Sequence, residues 1–102
     1  MTVTERIKKE ITENHCILFM KGNADFPQCG FSAHAVAILR KHQVVFTTVN
    51  ILEDPELRAE LKEFSDWPTF PQLYVKGEFI GGVDIMREMD EASELAEALA
   101  EL

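Results

Sequence analysis

The stretch CILFM at residues 16–20 is a continuous apolar run of five residues. A short run without polar alternation is typical of a strand that is buried on both faces. Residues 30–41 are rich in Ala, Val, Ile and Leu, which predicts a buried helix, and residues 44–51 are β-branched and apolar, which predicts a second buried strand. A strand–helix–strand unit of this length implies parallel pairing and a right-handed crossover.

Two further helices are marked by capping signals. Thr2 and Glu5 form a capping-box pair that starts a helix ending near residue 14. Asp54 followed by Pro55 is an N-cap with proline at the first helical position, which starts the third helix.

The last third of the chain contains a hairpin and two more helices. Residues 72–75 and 78–80 are strand-like and flank Lys76-Gly77, a two-residue hairpin signal. Asp84 is expected to cap a helix that runs to about residue 90. A final amphipathic helix is marked by three leucines, Leu95, Leu99 and Leu102.

The resulting element order is α-β-α-β-α-β-β-α-α, a βαβ half followed by a ββα half. This order predicts an α/β, thioredoxin-like fold with a central four-stranded mixed sheet flanked by helices. The length of 102 residues fits one domain over residues 1–102, and it is large enough to bury a single core.

Composition excludes several classes of function. The formal net charge of −8 argues against nucleic acid or an anionic membrane as the main partner, since both require a basic face. No apolar run is long enough to span a membrane, and the N-terminus has no signal or transit pattern, which favours a cytoplasmic protein. Two cysteines are too few for a disulfide framework, so a reducing compartment is expected.

One of the two cysteines stands where thiol chemistry is favoured. In the stretch FPQCGFS at residues 26–32, Cys29 lies between a loop and the start of a helix. The free N–H groups and positive dipole end of a helix N-terminus favour a thiolate, which is both a nucleophile and an iron ligand. Cys16, inside the apolar run, is instead expected to be a buried core residue. Ser32 either donates a hydrogen bond to the Cys29 sulfur or satisfies backbone groups of the first turn, but it cannot form a disulfide.

Four motifs stand together in one order and spacing: Lys21, Cys29-Gly30-Phe31-Ser32, Trp67-Pro68-Thr69-Phe70-Pro71 and Gly81-Gly82-Val83-Asp84. On these motifs the chain resembles a monothiol glutaredoxin of the CGFS type over nearly its whole length. The resemblance implies that the chain binds glutathione and that a pair of chains holds a bridging 2Fe–2S cluster, with Cys29 as each chain's iron ligand. Many members of that family have a cysteine where this chain has Val83, so Cys29 lacks that internal partner for a disulfide.

The resemblance also assigns a glutathione site to five residues. Lys21 and Arg58 match positions that hold the glycine carboxylate. Asp84 matches the acid that receives the γ-glutamyl group, with help from backbone donors at Val83. Phe70 precedes a proline that is cis in this fold, and its backbone is expected to pair with the cysteinyl unit of glutathione. Taken one at a time, the same residues also fit a solvated lysine, a surface ion pair, a plain helix cap and a loop.

The function implied by the resemblance is the storage, transfer and assembly of iron–sulfur clusters. The implied partners are a second copy of the chain in a cluster-bridged homodimer, apo iron–sulfur proteins and a BolA-like protein. Because few apolar residues are expected to remain unburied, the cluster rather than protein contact should hold the dimer together.

Two other classes of function remain open at this point. One is a glutathione-dependent oxidoreductase that reduces protein mixed disulfides, with Cys29 as the nucleophile and a second glutathione as the resolving thiol. The other is an adaptor that binds partners through the same groove without turnover. Whether the chain is an enzyme is therefore not decided by its sequence.

Overall fold

A four-stranded mixed sheet lies between two layers of helices in the computed structural model, which describes residues 1–100 and residue 102. The predicted α/β fold with its four-stranded central sheet is confirmed. No helix in the described part of the chain is long and apolar enough to cross a membrane. In chain order the elements are α1 (Val3–Glu13), β1 (Cys16–Met20), α2 (Gly30–Lys41), β2 (Thr47–Asn50), a 3₁₀ turn (Ile51–Glu53), α3 (Pro55–Ser65), β3 (Gln72–Val75), β4 (Glu78–Gly81), α4 (Val83–Glu91) and α5 (Glu94–Leu99).

The strand order across the sheet is β2-β1-β3-β4. The predicted parallel pairing of β1 with β2 is confirmed, whereas β1 with β3 and β3 with β4 are antiparallel. Lys76 and Gly77 form the predicted hairpin turn, and their φ angles of 52° and 80° have the positive sign that a type I′ turn requires.

β1 is buried on both faces because its side chains alternate between two cores. Ile17 and Phe19 pack in the core beneath α1 and α3, with Leu57 and Leu61 of α3. The other three residues of the strand, Cys16, Leu18 and Met20, pack in the core formed with α2, α4 and α5. The apolar run at 16–20 therefore has the role that its lack of alternation predicted.

The predicted second strand is wrong in length and in burial. β2 is confined to Thr47–Asn50 and is half-buried throughout, and the side chain of Val45 is 93% exposed. The reason is the short partner: β1 offers only residues 17–20 for pairing, so residues 44–46 have no strand beside them. β2 is also an edge strand, and one of its sides has no neighbour in the sheet.

α1 and α3 begin where their capping signals predict, whereas the cap of α4 differs from the predicted one. The Thr2–Glu5 capping box is present, and the Asp54 side chain accepts a hydrogen bond from the Leu57 N–H at 3.1 Å. At α4 the N-cap is Gly82 rather than Asp84, because β4 runs to Gly81 and the helix begins directly afterwards.

The last helix is also shorter than predicted. α5 ends at Leu99, and its inner face is formed by Leu95 and Leu99, which are both buried. Leu102 lies beyond the helix and is 40% exposed, so it does not belong to the inner face.

Candidate functional site

A cavity of about 350 Å³ lies at the carboxyl end of β1. Its walls come from the loop after β1, the start of α2, the helix α3 with the loop that follows it, and the start of α4. The cavity brings together all six residues singled out from the sequence: Lys21, Cys29, Arg58, Phe70, Val83 and Asp84. The remaining wall is formed by Phe31, Lys62, Trp67, Pro68, Thr69, Pro71 and Gly82. Proximity of the six residues is thereby established, and their chemical roles stay predictions.

Cys29 is the N-cap residue of α2, and its side chain makes no capping hydrogen bond. The thiol is half-buried at the cavity wall. Its pKa is lowered below the usual value of a cysteine, chiefly because the partial positive charge of the Ser32 N–H lies near the sulfur, although the two form no regular capping hydrogen bond. Partial burial opposes this effect, and the Phe31 N–H, the charge of Lys21 and the Ser32 hydroxyl add to it. A helix start therefore favours the thiolate here, as the position of Cys29 in the sequence predicted.

Ser32 is fully buried beneath this thiol and serves two groups. Its hydroxyl oxygen accepts a hydrogen bond from the Lys21 N–H at 3.1 Å, and the hydroxyl also contributes to the lowered pKa of Cys29. Both interpretations of Ser32 are thus realised, except that the backbone group it satisfies belongs to the loop after β1 rather than to its own helix. This link across segments has no signature in the sequence.

Cys16 differs from Cys29 in every property that decides reactivity. It is 3% exposed, it packs in the core with α2, and burial raises the pKa of its thiol to about 11. The prediction that Cys16 is a core residue is confirmed. Both cysteines are free thiols.

The loop between β1 and α2 is held in shape by contacts that the sequence did not reveal. Gly22 has a φ of 88°, and a Cβ at this position would lie 2.5 Å from the Phe26 carbonyl oxygen, so only glycine fits. The Asn50 side chain at the end of β2 accepts a hydrogen bond from the Gly22 N–H at 2.9 Å. The Lys21 carbonyl accepts one from the Gln28 N–H at 2.8 Å. Hydrogen bonds within the loop and to the end of β2 therefore fix the path of the chain up to Cys29.

The loop between α3 and β3 forms the opposite wall. The Phe70–Pro71 peptide bond is cis, as expected from the resemblance, and the Phe70 side chain is buried. The Trp67 ring lies 5.7 Å from that of Phe79, and its indole nitrogen is buried without a partner in the described part of the chain. A Cβ on Gly82 would lie 3.2 Å from that nitrogen, so the lack of a side chain at Gly82 lets the indole pack against the start of α4.

The charges around the cavity are separated by element. Arg58 and Lys62 come from α3, and Lys21 follows β1, whereas Asp84 lies in the first turn of α4. An acid at that position interacts favourably with the positive end of the helix dipole. Asp84 is also 3.5 Å from Arg87, but its side chain is 76% exposed and the pair is solvent-screened.

Two large apolar side chains are exposed in the segment that carries the thiol. Phe26, in the loop before Cys29, is 71% exposed, and Phe31, in the first turn of α2, is 64% exposed. The expectation that few apolar residues remain unburied is therefore wrong at this face. Both rings belong to the segment that carries the thiol, whose backbone forms the loop before Cys29 and the first turn of α2.

Metal-binding groups do not cluster within the part of the chain that the structure describes. Among residues 1–100 and 102, no group of three or more His, Cys, Asp and Glu side chains could hold a metal ion. A metal centre at Cys29 would therefore need ligands from outside these residues.

Comparisons with known proteins agree with this geometry. The family model for glutaredoxins matches residues 16–80. The chain is 49% identical over 102 residues to glutaredoxin 4 of Pasteurella multocida, covering 100% of this chain and 94% of that protein. It is 55% identical over 93 residues to a probable monothiol glutaredoxin 2 of Rickettsia conorii, covering 91% and 87% of the two. The solution structure of reduced apo GrxS14 from poplar matches it with a TM-score of 0.86 at 49% identity, covering 98% of this chain and 92% of that one.

Proposed function

The chain belongs to the glutaredoxin family as a monothiol member, and we propose that it binds glutathione and carries a 2Fe–2S cluster between two copies of itself. In this proposal the cluster is cargo that the protein stores and hands to apo iron–sulfur proteins. The observation that carries the proposal is a single half-exposed thiol with a lowered pKa, which stands at a charged cavity and has Ser32 in place of a second cysteine.

The cavity suits glutathione, the thiol that glutaredoxins typically use. Glutathione carries two carboxylates and one ammonium, so its site needs separated charges. Lys21 and Arg58 supply cations for the glycine carboxylate. At the γ-glutamyl end, the Asp84 carboxylate would accept from the ammonium, and the backbone N–H at Val83 would donate to the carboxylate. The Phe70 backbone, beside the cis proline, is the group that would pair with the cysteinyl unit.

The cluster follows from counting ligands. A 2Fe–2S cluster takes four ligands, mostly thiolates. One chain offers the Cys29 thiolate and, within its described residues, no further group of metal ligands. Two chains and two glutathione thiolates supply four. Ser32 keeps Cys29 from closing an internal disulfide, so the thiolate remains available to iron.

Anaerobic reconstitution with iron and sulfide, with and without glutathione, tests the proposal by visible absorption. We expect charge-transfer bands only when glutathione is present. A cluster that assembles equally well without glutathione would contradict the proposed ligand set, and the absence of bands under both conditions would contradict cluster binding itself.

The dimer is expected to dissociate into monomers when the cluster is removed. Each chain has a net charge of −8, so the copies repel one another. The rings of Phe26 and Phe31 offer at most a few hundred Å², against about 800 Å² per partner in a stable interface. Sedimentation before and after iron chelation, at matched micromolar concentration, should show dimer and then monomer. An apo form that stays dimeric would point to a permanent protein interface instead.

The remaining partners belong to the same proposal. A BolA-like protein is a candidate for the second half of a mixed, cluster-bridged pair. Nucleic acid and membranes are not proposed as partners, because the net charge of −8 disfavours binding to either polyanion. The cytoplasm is the proposed location.

A second candidate function is favoured by the lowered pKa of Cys29. As an oxidoreductase, the Cys29 thiolate would attack the glutathione sulfur of a mixed disulfide and release the protein thiol. A second glutathione would then attack the Cys29–glutathione disulfide, leaving oxidised glutathione and free Cys29. Turnover of a glutathionylated protein at the rate of a dithiol glutaredoxin would favour this function over the carrier role.

A further inference from the structure

Gln72, the first residue of β3, is fully buried although its side chain is polar. Its amide nitrogen donates two hydrogen bonds, to the Trp67 carbonyl at 3.2 Å and to the Thr69 carbonyl at 3.3 Å. Its amide oxygen faces the Tyr74 hydroxyl, which donates to it at 3.4 Å. Both donor hydrogens and the acceptor are thus used, so the amide is satisfied inside the protein.

The two carbonyls belong to residues that line the cavity. Trp67 and Thr69 lie in the loop between α3 and β3, and both line the cavity together with Phe70. No other donor in the part of the chain that the structure describes reaches either carbonyl. The loop therefore owes two of its tertiary hydrogen bonds to one buried side chain.

The other end of this network is rigid. The Tyr74 ring lies 5.6 Å from that of Phe19, edge to face, and 5.3 Å from that of Phe79. The ring is 1% exposed and held between these neighbours, so its hydroxyl has a fixed position beside the Gln72 amide oxygen. The two loop carbonyls themselves turn the amide so that its donors point at the loop, because only the amide nitrogen can donate to them.

We propose that Gln72 is a positioning residue for glutathione, which holds the loop at 67–71 so that the Phe70 backbone is presented to the ligand. The proposal rests on the proposed function for its ligand. Gln72 lies behind the wall and touches no ligand itself. Its removal leaves two carbonyls unpaired, and the loop can satisfy them only by turning toward water, which moves Phe70.

Gln72→Met is the test variant, because it keeps the length and bulk of the side chain and removes both donors. Tyr74→Phe is the matched control, because it removes one hydroxyl of the same network and leaves both loop hydrogen bonds in place. Leu99→Ala, in the core on the other side of the sheet, is a second control that lowers stability and lies outside the cluster that contains Phe70. Should Gln72→Met not fold, Gln72→Thr replaces it, since threonine suits a strand and reaches neither carbonyl.

Two measurements separate this proposal from the proposed function. In ligand-free protein, amide hydrogen exchange at Thr69 and Phe70 should be about tenfold faster in Gln72→Met than in Leu99→Ala of equal or lower stability. Calorimetry should show glutathione affinity about tenfold weaker in Gln72→Met and unchanged in both controls. Unchanged exchange or unchanged affinity in the folded variant would overturn the proposal. If wild type itself binds no glutathione, the proposed function fails, while the exchange measurement still decides whether Gln72 holds the loop.

Discussion

Ser32→Ala removes a single hydroxyl, and the structure says which two groups should respond. The Lys21 N–H, which donates to this hydroxyl at 3.1 Å, loses its partner in a part-buried loop, and alanine leaves no polar atom in its place. An unpaired buried amide costs about 1–3 kcal/mol. Against the roughly 5–15 kcal/mol by which a domain is stable, the free energy of unfolding should fall by a measurable fraction.

The pKa of Cys29 should rise in the same variant, but only part of the way to its usual value. The largest cause of the lowered pKa is the Ser32 N–H, which alanine retains, and the Phe31 N–H and the Lys21 charge also remain. Only the hydroxyl, the smallest contributor, is lost. We therefore expect a thiol that is less acidic than in wild type and still more acidic than an unperturbed cysteine.

The pH profile of alkylation by iodoacetamide measures this pKa, and urea unfolding measures the stability. Cys16 does not interfere, since it is buried and burial raises its pKa to about 11. Ser65→Ala is the control, because the Ser65 hydroxyl donates to the Leu61 carbonyl at 2.7 Å and interacts with the Tyr74 hydroxyl, and it belongs to neither the Lys21 nor the Cys29 hydrogen bonds. A Ser32→Ala protein with the alkylation midpoint and unfolding free energy of wild type would show that the hydroxyl serves neither group. A wild-type midpoint at the value of a free cysteine would refute the larger argument about the helix start.

Three further predictions concern the thiols, the charges and acid. Cys29→Ser should abolish cluster assembly and Cys16→Ser should leave it nearly intact, as absorption after reconstitution will show; a folded Cys16→Ser protein without cluster would reverse the assignment. Arg58→Glu should weaken glutathione binding by about 1.5–3 kcal/mol, whereas Asp84→Lys, at a side chain 76% exposed, should cost about 1 kcal/mol or less; unchanged affinity in calorimetry would return both to ordinary surface roles. Hydrogen bonds from Lys41 and, next, His42 lower the pKa of Asp90 in the folded protein. The stability that this carboxylate contributes is therefore fully present above the pKa of an unfolded Asp, about 3.9, and is lost as the pH falls through the lowered pKa of the folded state. In Asp90→Asn, the urea concentration at the unfolding midpoint should therefore fall less steeply than in wild type as the pH is lowered. An unaltered pH dependence would mean that the ion pair has no net effect on stability.

The features that the sequence determined are those encoded within a few residues. The run at 16–20 specifies a strand buried on both faces, because every side chain in it prefers a core. Asp54-Pro55 starts α3 through one cap hydrogen bond and one restricted φ, and Lys76-Gly77 closes a hairpin through its own backbone angles. Cys29 acquires its lowered pKa chiefly from N–H groups two and three residues away, so its chemistry too could be anticipated from its place at a helix start.

The tertiary structure alone decided the features that depend on a distant partner. β2 is four residues long because β1 ends, and the composition of residues 44–51 carries no information about that limit. Gly22 is tied to Asn50 across 28 residues of sequence, and Ser32 to Lys21 across 11. In the sequence, Gln72 is an ordinary polar residue at the start of a strand. Only the tertiary structure buries it and places two loop carbonyls within hydrogen-bond distance of its amide. Such contacts join side chains that come close only once the sheet and its helices are assembled, and a local pattern of residue types does not record which distant groups will be left needing a hydrogen bond.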